Sequence, residues 1–282
     1  MSESGRRRRI TLAHSPDSDD AFMFYALAKG KVDDRGFAFM HELHDIETLN
    51  LRAQEGFYDI TAISFHAYPF VRHHYRLMQC GASVGESYGP IIVSRRPMTI
   101  NDLEEATVAV AGQLTTSFLA LKLMAPGVRT KVVPFDRIMD EVKKGNVDAG
   151  LVIHEGQLTF AKEKLNRIID VGEWWTRETG LPLPLGGNAI RRDIDKKTAL
   201  KCCDALRDSI VYALEHRAEA LDHALQYARG LDRKLADKFV GMYVNQFTVE
   251  LGKRGEDAVA LLFRLGHEAG LIPELVEPEF VD

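Results

Sequence analysis

Cysteine is scarce in this chain, and its placement excludes the usual cysteine chemistry. Cys80 stands alone, and Cys202 and Cys203 are adjacent. An odd count without spaced pairs is not a disulfide framework, and no Cys-x2-Cys or Cys/His spacing makes a zinc set. The thiols therefore read as reduced. Long apolar runs are missing too: nothing reaches the roughly 18 uninterrupted residues of a membrane span. A basic run occupies residues 6–9, but the apolar stretch 10–13 is too short for a signal peptide, and acids follow at Asp17, Asp19 and Asp20. The expected location is the cytoplasm. Basic charge is also short, with 36 Lys and Arg against 41 Asp and Glu and a net charge of -5. Without the run at 6–9 the remainder is more acidic still. A nucleic-acid scaffold should be basic, so that class is set aside, and the Arg run reads as a short tail. No phosphate-cradling glycine loop, nucleophile elbow or Gly-x-Gly-x-x-Gly fingerprint occurs.

What is present is a soluble globule, 45% hydrophobic and 27% charged. At about 150 residues per domain, 282 residues make one large or two medium domains. Strand-like runs at 9–13, 37–40 and 58–63 alternate with helical runs at 21–29 and 46–55, with Gly30 and Gly56 as stops. The pattern returns as strands at 107–111, 130–134 and 147–153 and helices at 116–124 and 137–144. Such alternation predicts parallel α/β sheets covered on both faces. Gly56 precedes Asp59 as Gly145 precedes Asp148, which suggests two copies of one unit. A strand at 188–191 and helices near 195–216, 217–229, 232–245 and 255–269 close the chain. The expected organisation is a discontinuous large lobe (1–93 and 187–282) with an inserted small lobe (94–186). Two hinge crossings, near 90–95 and 185–191, would frame a cleft between them.

Ligands of parallel sheets gather beyond the carboxyl ends of the strands. That rule selects the loop from His14 to Asp20, Ser64 to His66, Thr115-Thr116-Ser117, and His154-Glu155. The three hydroxyls open a helix, where free N–H groups and the dipole favour an anion; the alternative is a plain cap. His154 ends an apolar strand and could take a proton. Glu155, next to it on an extended strand, should point the other way, into solvent. Asp17, Asp19 and Asp20 lack a calcium-loop spacing and read as a helix N-cap and first-turn acids, not a metal site. His41-x-x-His44 and His73-His74 read as surface residues, and Trp174-Trp175 as packing.

At these same residues the chain resembles the 1,4-dihydroxy-6-naphthoate synthases of the futalosine route to menaquinone. The likeness runs from about residue 10 to 265. It is carried by Ser15-Pro16 with Asp20, Asp45-Ile-Glu-Thr-Leu-Asn50, Gly89-Pro-Ile-Ile-Val93, Thr115-Thr116, and Ala149-Gly-Leu-Val-Ile-His154-Glu155. Trp174-Trp175 with Thr179-Gly-Leu-Pro-Leu-Pro-Leu-Gly186 and Tyr243-Val-Asn245 complete it. The resemblance implies a two-lobed, type II periplasmic-binding-protein-like α/β fold. It also implies a carbon–carbon lyase that cleaves cyclic dehypoxanthinyl futalosine to 1,4-dihydroxy-6-naphthoate without cofactor or metal. It puts the general base on His154. It puts substrate contacts on Thr116 and Ser117 and on Ala62, Ile63 and Ser64, and the shared motifs add Thr115, Ser15, Asp20 and Gly89. The partner it implies is a small carboxylate substrate, not a nucleic acid or a membrane.

One loop departs from that pattern. Many members carry Ser-Pro-Cys-Pro-Asn-Asp-Thr where this chain has Ser15-Pro-Asp-Ser-Asp-Asp-Ala21, which brings carboxylates beside a pocket meant for an anion. Ser117 stands where some members have Ala. Two other readings stay open: a solute receptor of an importer, which would not need His154, and a sister enzyme such as a chorismate dehydratase.

Overall fold

The structure, a computed structural model, describes residues 7–228 and 231–281. Strand β1 (Arg8–His14) leads into two short helices, α1 (Ser18–Met23) and α2 (Tyr25–Ala28). Then come β2 (Phe37–Leu43), α3 (Ile46–Ala53), β3 (Ile60–Ser64), α4 (Tyr68–Val71), β4 (Tyr75–Leu77) and β5 (Ser83–Gly85). A second unit holds β6 (Ile91–Ser94), β7 (Thr107–Val110), α5 (Thr116–Met124), β8 (Arg129–Val132), α6 (Ile138–Lys144), β9 (Ala149–Val152), α7 (Gly156–Thr159), β10 (Asn166–Asp170) and α8 (Val171–Thr179). The chain returns through β11 (Leu183–Arg191) and finishes with α9 (Lys196–Glu215), α10 (Arg217–Ala224), α11 (Arg233–Tyr243), α12 (Gln246–Val249) and α13 (Gly252–Glu268).

Each unit has its own sheet. The first runs β2-β1-β3-β11-β4 with β5 on β11, and the second runs β10-β6-β9-β7-β8. The chain thus changes sheets between Gly85 and Ile91, and changes back between Asp170 and Leu183. The sheets are mixed, not purely parallel as the alternation implied. Strands β1–β3 and β7–β9 pair in parallel, while β11, β4, β5, β6 and β10 pair antiparallel. The crossing strands enter each sheet from the opposite side, which reverses their direction. The suggested duplication is visible in the pairing: β2-β1-β3-β11 in one sheet matches β8-β7-β9-β6 in the other.

The helix expected at 21–29 starts earlier and breaks. Asp17 takes an extended N-cap conformation, and Asp19 and Asp20 stand in the first turn. The break has a chemical cause. The Ser209 hydroxyl donates to Met23 O (2.8 Å) and accepts from Leu27 N (3.1 Å), so a side chain replaces one rung of the helical ladder. The Arg run is not wholly a tail: Arg8 and Arg9 pair with Phe37 and Ala38 inside the first sheet, and Arg7 bonds Asp34. Arg6 lies outside the described residues, as does the end of the helix expected at 217–229. Cys80, Cys202 and Cys203 are buried and unpaired. Among the described residues no helix is long and apolar enough to cross a membrane.

One apolar core runs between the two sheets, joining Ile63, Phe65 and Tyr75 to Ile92, Val108, Trp175 and Phe263. A second fills the outer face of the first sheet under α9–α11, and a third backs the second sheet with Ile138 and Val142. The edge of β4 is covered by the segment after α13: Leu77 N donates to Glu279 O (2.9 Å) and Val281 N to Leu77 O (2.8 Å).

Candidate functional site

The loops at the carboxyl ends of β1, β3, β7 and β9 meet at a cleft between the two units, as the strand-end rule requires. Its volume is about 780 Å³, open mouth included. Ser15, Asp17, Asp19 and Asp20 line one part, and Ala62, Ile63 and Ser64 the floor. Thr115, Thr116 and Ser117 come from the second unit. Two expected site residues, Gly89 and His154, are not among the lining residues.

The hydroxyl triplet divides its work. Thr115 caps α5: its Oγ1 accepts from Phe118 N (3.2 Å) and Ser117 Oγ (3.1 Å) and donates to Gly112 O (2.9 Å). Thr116 ties the units together, accepting from His66 N (3.0 Å) and donating to Leu185 O (2.6 Å). One hydroxyl of the segment is thus the plain cap that the sequence allowed. The N–H groups of Thr116 and Ser117 stand at N1 and N2 of α5, where no backbone acceptor exists within the helix, and α5 has no acid in its first turn.

The opposite loop has the reverse character. Asp20 accepts from Ser15 N (2.6 Å), and the Ser15 carbonyl accepts from His14 Nδ1 (3.0 Å). The His14 Nε2 in turn meets His41 Nδ1 (3.0 Å). His41 is thus half-buried, not at the surface as its spacing suggested, and burial lowers the His14 pKa to about 3 and that of His41 to about 4. Both rings stay neutral and serve as a prop for the loop. Burial also acts on the carboxyls. It raises Asp20 to about 7, and it holds Asp19 well above the usual carboxylate range, aided by Asp20, Asp17 and Glu155.

His154 sits one residue beyond the cleft wall, which Ile153 lines. Its Nδ1 accepts from Gly156 N (3.0 Å), and its Nε2 lies 3.1 Å from Phe135 O. Glu155 is not solvated as expected. It is 3% exposed, with Oε2 3.8 Å from His154 Nδ1. The strand has ended at Val152 and the backbone at Glu155 is already helical, so strand alternation no longer governs where its side chain goes. Gly89 packs on the start of α8 instead of the cleft. A Cβ there would meet Gly172 N at 3.0 Å, and its neighbour Pro90 lines the cleft in its place. Trp175 is buried packing, its Nε1 bonded to Pro182 O (3.1 Å).

The sequence reading missed Tyr243 and Phe239 as cleft residues. Ala236, Phe239, Val240 and Tyr243 form the buried face of α11, a helical spacing that was there to be read. Tyr243 donates to Gln157 Oε1 (2.7 Å) across the two units, and Leu185, Gly186 and Gly187 of β11 complete the wall.

With this geometry in place, residues 10–268 match the family model described as menaquinone biosynthesis. The chain belongs to that family. Two curated members are each named 1,4-dihydroxy-6-naphthoate synthase. The Thermus thermophilus protein is 39% identical over 96% of this chain and 99% of its own length. The Streptomyces coelicolor protein is 35% identical over 94% and 95%. The crystal structure of an Archaeoglobus fulgidus protein superposes with a TM-score of 0.90 at 44% identity, covering 94% of this chain and 98% of that one. An alkanesulfonate-binding protein from Xanthomonas axonopodis pv. citri superposes at 0.76 over 98% of each chain with 10% identity. That last likeness fixes the fold alone: this family member has the architecture of the periplasmic binding proteins.

Proposed function

We propose that this member of the menaquinone biosynthesis family is a 1,4-dihydroxy-6-naphthoate synthase, a carbon–carbon lyase acting on cyclic dehypoxanthinyl futalosine in the cytoplasm without a cofactor. The observation that carries this reading is its likeness, over nearly the full chain, to two relatives of that name. The cleft supports it. The substrate carboxylate docks at the N–H groups of Thr116 and Ser117, with Ala62, Ile63 and Ser64 beneath its rings. A base removes a proton beside a carbonyl, the bond to the sugar-derived part breaks, and the electron pair left behind completes an aromatic ring. The protein supplies orientation, a base and exclusion of water.

His154 is the base in this reading. Its ring leaves the Phe135 carbonyl and turns past Ile153 into the cleft when substrate binds; catalytic hydrogen bonds commonly form only in the complex. A second reading is favoured by the lining itself. Asp20 already faces the cleft, and a carboxyl with a pKa of about 7 is poised to exchange a proton at neutral pH.

Mass spectrometry of cyclic dehypoxanthinyl futalosine incubated with the protein, His154→Ala and Asp20→Asn separates these. Naphthoate from the first protein and a loss of about 10²-fold or more in His154→Ala alone supports the histidine base. Loss confined to Asp20→Asn transfers the role to the carboxyl. No product from the unmodified protein overturns the assignment.

A further inference from the structure

A carboxylate that the mechanism does not use spans the two units. Glu47, in the first turn of α3, extends from the first unit to the loop at 112–114 of the second. Leu114 N donates to both its oxygens, at 3.2 and 3.3 Å. Gln113 N also faces the carboxylate, and Asn50 Nδ2 approaches Oε2 at 3.4 Å. The loop is shaped to receive it: a Cβ on Gly112 would stand 2.0 Å from Glu47 Cδ. Thr115, Thr116 and Ser117 follow directly on this loop.

We propose that Glu47 is a positioning residue, a clasp whose carboxylate holds the second unit against the first and so sets where the N-terminus of α5 stands over the cleft. Three polar residues of the segment Asp45-Ile-Glu-Thr-Leu-Asn50 then have a role. Asp45 caps α3 by accepting from Thr48 N (3.1 Å). Asn50 fixes the cleft residue Ser64, accepting from its N–H (2.8 Å) and donating to its Oγ (3.1 Å). Glu47 joins this anchored helix to the anion-binding loop. Charge-assisted bonds to backbone N–H groups are the strong kind, and a clasp between two lobes shifts the balance of open and closed forms by its own strength. Burial raises the Glu47 pKa, Asp45 adds to the rise, and the N–H groups of Leu114 and Gln113 with the Asn50 amide oppose it. Protonation removes the acceptor charge, so the clasp loosens as pH falls.

The clasp is tested without substrate, so its failure stays distinct from a failure of the assigned reaction; only its effect on turnover rests on that assignment. Spin labels at Lys29→Cys and Lys162→Cys, exposed positions in the first and second units, report the distance between them, since the native thiols are buried. In the otherwise unmodified chain one short distance should dominate. Glu47→Ala should lower the ratio of short to long distances by about fivefold or more. Gly112→Ala should do the same by displacing the carboxylate with residue 47 unchanged, and Glu47→Gln, which keeps one acceptor, should fall between. With substrate, Glu47→Ala should raise KM about tenfold while kcat changes far less. Distance distributions for Glu47→Ala and Glu47→Gln that superpose on the parent overturn the clasp. If Glu47→Ala fails to fold, Glu47→Gln alone decides.

Discussion

The two units share a plan and differ at the loops that face the cleft. In both, an aspartate just before the third strand accepts from the backbone N–H of the first: Asp59 from Thr11 N and Asp148 from Thr107 N, each at 2.8 Å. That is the physical content of the paired Gly-x-x-Asp spacing. Beyond the first strand the copies part. In the first unit, α1 carries two carboxyls, Asp19 and Asp20, in its own first turn. In the second, α5 begins with Thr116 and Ser117 and has no acid in its own first turn. One architecture thus carries a wall of hydroxyls and a wall of carboxyls in one cleft, and the difference lies in a few loop residues.

The sharpest way to break that contrast is to give the second unit the first unit's charge. Ser117→Glu places a carboxylate in the first turn of α5, and substrate affinity should fall by about 10²-fold or more in a titration, through like-charge repulsion and loss of the anion site. The matched aspartates come next. Asp59→Ala should destabilise more than Asp148→Ala in urea unfolding. Asp59 also bonds Thr11 Oγ1 (3.0 Å) and Arg191 (3.0 Å), so about 3 kcal/mol against about 1–2 kcal/mol is expected. Equal losses would mean that the extra partners of Asp59 add nothing.

The acidic wall should also give stability a pH dependence. The folded protein holds the Asp20 proton up to about pH 7, whereas the unfolded chain releases it near pH 4. Between those values the folded state binds more protons, so this group makes stability fall as pH rises. The stability of the parent relative to Asp20→Asn should therefore decline from pH 4 to pH 7 and level off above; a flat difference would contradict the raised pKa. The smallest expected effect is Thr115→Ala, which removes the cap of α5 at about 1 kcal/mol, read as a shift in the unfolding midpoint.

Much of this was legible in the sequence because it depended on local periodicity. The strands at 9–13, 107–111 and 147–153, the helix at 116–124 and the acids of the first loop all follow from spacing and capping. What escaped depended on partners distant in the chain. Nothing near Met23 announces that the Ser209 hydroxyl will enter its helix. The antiparallel strands β4 and β5, three residues each, are too short for a pattern. The burial of Glu155 followed from where β9 stops, and strand ends are poorly marked by composition. At the site, eight of the expected residues line one cleft. His154 and Gly89 lie just behind its wall, a distinction of side-chain direction that linear spacing does not encode.

The cover over β4 also bears on how the molecule behaves at high concentration. A bare strand edge offers unpaired N–H and C=O groups to any other chain, and the first sheet would otherwise end in one. Glu279 and Val281 occupy that edge with main-chain bonds of their own, so the molecule satisfies its own sheet there and leaves no template for a neighbour. Trimming the chain before Glu279 would take nothing from the cleft, yet it should bare an edge that recruits further copies strand to strand.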